Sequence, residues 1–160
     1  MTALEYLAQL VGRRCSVADT PIGSIVHIDI GPLRNQTDDS PGARPHGEFC
    51  LTIQCPWRLI EGSVVVCDWN AESGPGGEIA KALAWLVGGV VTDLRVEGPA
   101  WDLSIRFGDK KLLQVFSDGD PADAAWFVIG IDGGLVRARP STPDGGGITL
   151  GALQQGGGGC

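Results

Sequence analysis

The sequence predicts a strand-rich α+β fold: two pseudo-repeated helix-plus-four-strand units packed as one domain, followed by a flexible Gly-rich tail. Three observations point there. Gly 25 and Pro 10 in 160 residues cut the chain into many short elements, which favours strands and turns over a helical bundle. Several segments alternate apolar and polar residues with period two. The same order of landmarks is also met twice along the chain.

Leu4, Leu7, Leu10 and Val11 recur at helical spacing and stop at Gly12, which predicts a first helix with that apolar stripe. A strand follows around Cys15 to Val17, then another from Ser24 to Ile30, closed by Gly31. Val26, Ile28 and Ile30 share one face of it, so His27 is expected on the solvent side. Asn35 to Gly47, with Asp38, Asp39, Pro41, Gly42 and Pro45, reads as a mobile surface loop. Phe49, Leu51, Ile53 and Cys55 then alternate with Cys50, Thr52 and Gln54, the pattern of a strand with one wet face. Pro56 ends pairing and aims Trp57 and Arg58 at the strand exit. Glu61-Gly62-Ser63 turns the chain into Val64 to Val66.

The second pass opens at Gly74-Pro75-Gly76-Gly77. Ile79, Leu83, Leu86 and Val87 make a helical stripe with Glu78 in the first turn and Gly88-Gly89 as the stop. Val90 to Val96 reads as a strand, and Leu103, Ile105 and Phe107 alternate with Asp102, Ser104 and Arg106. Gly108-Asp109 and Asp132-Gly133 supply hairpin turns. Leu113-x-Val115 answers Leu51-x-Ile53, and Trp126 answers Trp57. The units fall at about 1–70 and 77–140, and burying their sheets on each other hides both apolar faces. Residues 141–160 form the flexible tail, with Ile148 and Leu150 as a small patch that docks locally.

Composition excludes several function classes. A net charge of -7 argues against nucleic acid, because phosphate binding needs clustered Lys and Arg. It favours instead a protein partner, with a basic one the expected case. The apolar runs are too short for a membrane span, and Met1 to Leu10 lacks the basic start of a secretory signal. The expected location is the cytoplasm. Five cysteines (Cys15, Cys50, Cys55, Cys67 and Cys160) are an odd number, as expected for reduced thiols. Their spacings include no Cys-x-x-Cys, so small core thiols are expected rather than a metal site.

No catalytic residue and no cofactor emerge from the motifs. His27 and His46 are the only histidines, and no Cys-His-Asp order stands out. Asp118-Gly119-Asp120 lacks the remaining ligands of a calcium loop. The Gly74–Gly77 stretch lacks the lysine or dinucleotide spacing of a phosphate site. The densest candidate is Gln54-Cys55-Pro56-Trp57-Arg58, because Trp and Arg are the commonest binding hot spots. Trp57 has an echo in Trp126, whereas Arg58 faces Phe127. A residue present in both units reads as packing, and one present in a single unit reads as functional. The Cys160 thiol ends a tetraglycine stretch, where it is open to modification or tethering.

The run Gly47-Glu48-Phe49-Cys50-Leu51-Thr52-Ile53-Gln54-Cys55-Pro56-Trp57-Arg58, and the later Leu103-x-Ile105-x-Phe107-Gly108-Asp109, resemble small uncharacterised, mainly actinobacterial proteins of a domain of unknown function. The resemblance implies no established activity; it implies an immunity-like or accessory role beside a toxin, and it draws attention to Asp68. The expected binding set is therefore Trp57, Arg58 and Asp68 in a non-enzymatic binding protein. The rivals are a small-ligand or modifying enzyme in the cleft between units, using Cys55 or Asp68, and a carrier domain for the Cys160 tail.

Overall fold

The computed structural model describes residues 1–35, 44–117, 125–139 and 147–152. Asp118, Asp120, most of the 35–47 loop and Cys160 lie outside the described residues. Helix α1 (Ala3–Ala8) starts on a capping box in which Thr2 and Glu5 satisfy each other's backbone N–H. It buries Tyr6 and Leu7, with Leu10 just beyond it, while Leu4 and Val11 stay exposed. The predicted stripe is therefore rotated: the helix is only six residues long, and the Tyr6 ring fills the space that Gly130 and Gly134 leave by having no side chain.

Strands β1 (Cys15–Ile22), β2 (Ile25–Ile30), β3 (Phe49–Ile53), β4 (Trp57–Glu61) and β5 (Val64–Asp68) follow. Helix α2 (Glu78–Ala84) buries Ile79 and Leu83 and leads to β6 (Val91–Glu97), β7 (Asp102–Phe107) and β8 (Lys111–Val115). The chain continues through β9 (Trp126–Gly130), β10 (Gly134–Arg139) and β11 (Gly147–Ala152). The α+β, strand-rich class is the observed one. Among the described residues, each of the segments 1–70 and 77–140 holds five strands rather than the expected four. Trp57 and Trp126 begin strands of their own, a signal that the adjacent apolar pair Leu59-Ile60 hides from a period-two reading. The tail expectation also changes, since Gly147–Ala152 pairs along the whole of β10.

The strands form a six-stranded sheet, β1-β2-β3-β9-β10-β11, and a five-stranded sheet, β5-β4-β8-β7-β6. Each sheet thus takes strands from both halves of the chain, so neither half is a domain alone. The crossing occurs where Pro56 stops β3 from continuing; Gln54 N–H still reaches Ala125 O at 2.9 Å, and Phe116 N–H reaches Pro56 O at 2.8 Å. Between the sheets lie Leu51, Ile53, Trp126 and Val128 from one and Leu59, Leu103, Ile105, Phe107 and Leu113 from the other. Full burial of each such side chain contributes about 1.5–3 kcal/mol. Helix α2 packs on β1 and β5, while α1 packs on β6, β10 and β11. Each helix bridges one side of the sheet pair, which covers the core between the sheets. Among the described residues no helix is long and apolar enough to cross a membrane.

Candidate binding face

The two sheets turn very different outer faces away from the core. On the six-stranded sheet, His27 and Asp29 of β2 stand beside Thr52 and Cys50 of β3, their register partners. Asp29 is fully buried. Its Oδ1 accepts the Gly47 N–H at 3.1 Å, and Oδ2 lies 3.6 Å from Arg44 Nη2. Arg44 Nη1 donates to Asp19 Oδ2 at 2.8 Å, and His46 Nδ1 is 3.8 Å from Asp29 Oδ1. A Cβ on Gly47 would meet Ile30 N and O at 2.8 Å, so only glycine lets the chain lie this close to β2. Glu48 adds ion pairs to Arg13 and Arg34. Residues 44–48 thus form a polar clasp that covers this part of the sheet. Cys50 and Thr52 are 3% and 2% exposed in consequence, where the alternation predicted a wet face.

The electrostatics follow from that covering. Burial pushes the His27 pKa down, with Arg44 acting the same way. For Arg44 burial works against the charge, but the hydrogen bond to Asp19 and the charges of Asp19 and Asp29 prevail and raise its pKa. Burial, helped by Asp29, pushes the Cys15 thiol up to about 12, so it stays protonated. Asp29 Oδ2, His27 Nδ1, His46 Nδ1 and Thr52 Oγ1 are buried with no hydrogen-bond partner among the described residues. No three His, Cys, Asp or Glu among the described residues are grouped to hold a metal ion.

The outer face of the five-stranded sheet is half-buried to exposed among the described residues. Arg58 on β4 lies between Gln114 of β8 and Asp68 of β5 in register, with Ser104 and Arg95 continuing the row. Arg58 Nε donates to Gln114 Oε1 at 2.7 Å. Its guanidinium sits 5.1 Å from the Phe116 ring centroid, a cation–π contact that holds the long side chain in place. The next row is Ile60, Leu112, Arg106 and Asp93. Arg58, Ile60, Leu112, Gln114 and Phe116 are all half-buried, so apolar surface surrounds a positioned arginine. Beyond them β5 exposes Val64, Val65 and Val66 at 62%, 49% and 45%, and Trp69 follows at 49%.

The structure therefore divides the expected binding set. Arg58 and Asp68 are cross-strand neighbours, and Asp68 Oδ1 accepts the Asn70 N–H at 2.9 Å. Trp57 points the other way and is 2% exposed in the core. Cys55 is also buried, at 9%. Burial, with Asp68 adding, raises the Cys67 pKa. The clasp residues Asp29, Arg44 and His46 were not singled out as a group by the sequence. The available signal was an aspartate between Ile28 and Ile30, since acidic residues are depleted from strand interiors. Comparison with protein-family models, with curated proteins and with solved structures finds no match.

Proposed function

We propose that this chain is a non-enzymatic, cytoplasmic protein-binding module that docks its partner on the outer face of the five-stranded sheet. One observation supports this above the others: Arg58 is held in place on a half-exposed apolar shelf of Ile60, Leu112 and Phe116, while the other sheet spends a polar clasp on covering its face. Arginine fixed beside apolar surface is the chemistry of an interface hot spot. The net charge of -7 steers a basic partner toward the chain at long range. An immunity-like or accessory role beside a toxin is the form this takes under the resemblance described above.

The same reading treats the two segments as copies of one helix-and-strand unit. Support comes from features that occur in pairs. Bulges fall at Cys15/Val17 in β1 and at Val91/Asp93 in β6. Around the Arg14–Val90 bridge, Gly12 N–H meets Val91 O and Gly88 N–H meets Cys15 O, both at 2.8 Å.

Affinity capture from lysate of the source cells tests the binding face. Arg137, exposed on β10 of the other sheet, provides a matched control. A protein retained by wild type and by Arg137→Glu is expected to drop about tenfold or more with Arg58→Glu, as loss of a hot spot would cause. Equal recovery with all three chains removes the face from the account.

A further inference from the structure

The β4–β5 hairpin and the β9–β10 hairpin occupy comparable places, each extending its sheet outward from a three-stranded unit of the other half of the chain. Their outer edges differ. Beyond β10 lies β11, paired antiparallel at every position from Gly134↔Ala152 to Arg139↔Gly147. Beyond β5 no further strand lies in the sheet order among the described residues. We infer that the free edge of β5 takes an extended, uncharged, apolar strand from the protein partner, added antiparallel as β11 is added to β10. This rests on the protein-binding reading and specifies how the partner is held.

Three features favour that occupant. First, β5 carries few of the devices that blunt an edge: Val64 to Cys67 contains no proline, lysine or other charge, and only one register shift against β4 and the terminal Asp68 interrupt it. By contrast, β1 carries Asp19, Pro21 and two register shifts, and β6 carries Asp93, Arg95, Glu97 and one shift. Second, the strand that covers the comparable edge shows which chemistry fits there. It is Gly-Ile-Thr-Leu-Gly-Ala, small and apolar without charge. Third, a helix beside the edge does not block addition. Helix α1 packs on β10 much as α2 packs on β5, and β11 still seats beyond β10. An added strand would satisfy the outward backbone groups of β5, and its side chains would cover Val64 to Val66.

The probe is a synthetic peptide of residues 147–152 flanked by lysines, added to the full chain, with amide hydrogen exchange read strand by strand. Slowed exchange at Val64–Asp68 is expected, lost when Val64 and Val66 are both replaced by lysine; these exposed positions tolerate charge in the folded chain. A Val65→Pro variant provides a second block of the edge. Protection only at β10, meaning exchange with β11, overturns the inference, as does no protection at any strand. A dimer of the chain alone that protects β5 and is lost in the double-lysine variant also overturns it, naming a second copy as occupant. Finally, a captured partner lost with Arg58→Glu but kept by both β5 variants overturns strand addition while leaving the binding face standing.

Discussion

The outer faces of the two sheets differ although their strands pair in the same manner. Between β2 and β3 the chain runs from Gly31 to Glu48, and its last part returns as a clasp over Asp29, Cys50 and Thr52. Between β7 and β8 it takes only Gly108 to Lys110, and Arg106, Leu112 and Gln114 are left half-buried. A long connection can shield a sheet face, and a three-residue turn cannot. The lesson is that the longer loop serves the closed face as cover, and the short-turn face is the one on which we propose that a partner docks.

That contrast is broken most severely at Asp29. Replacing Asp29 with Ala leaves the Gly47 N–H without its buried acceptor and removes the carboxylate 3.6 Å from Arg44, which keeps Asp19, and is expected to cost about 1.5–3 kcal/mol. Arg58→Ala, on the half-buried face, is expected to cost under about 1 kcal/mol, because its partners keep access to water. Urea unfolding of both variants checks this, and similar losses would mean that the faces are not differently built. Gly47→Ala comes next. Its Cβ would press on Ile30 backbone at 2.8 Å, so the clasp must lift, at about 1–3 kcal/mol. Faster amide exchange in β2 would accompany it, whereas an unchanged midpoint would show that the clasp does not depend on that close approach.

The smallest effect sharpens the comparison through pH. The folded state lowers the His27 pKa from its usual 6.5, chiefly by burial. As pH falls, the unfolded chain therefore takes up this proton before the folded chain does. The His27 contribution is complete above about 6.5 and is lost as pH drops from there to the lower folded value. Unfolding midpoints measured between neutral and mildly acidic pH should fall for wild type and fall less for His27→Gln. Parallel curves would place His27 outside the covered cluster.

Much of the architecture was legible because it depends on local patterns. The alternation of Leu103, Ile105 and Phe107 matches buried positions, as do Ile79, Leu83 and Leu86 of the second helical stripe, whereas Val87 of that stripe is exposed. The burial of Trp57 agrees with its echo in Trp126. The exchange of strands between sheets was not legible, because nothing within Gln54-Cys55-Pro56 states which strand the chain will join next. The wet face assigned to Cys50 and Thr52 failed for a related reason: their cover comes from Arg44, His46 and Gly47, held by a tertiary ion pair rather than by periodicity. At the site, Arg58 could be singled out by its type and unmatched position. Its shelf of Leu112 and Phe116 comes from a strand more than fifty residues away.

Side-chain oxidation by hydroxyl radicals, compared between the free chain and its complex with the captured partner, tests the central claim most directly. Ile60, Leu112 and Phe116 on one face and Phe127 and Ile129 on the other are all half-buried, so both faces report in one measurement. The account predicts that partner binding protects the first three and leaves the last two unchanged. Protection of Phe127 and Ile129 with continued oxidation of Phe116 would contradict it.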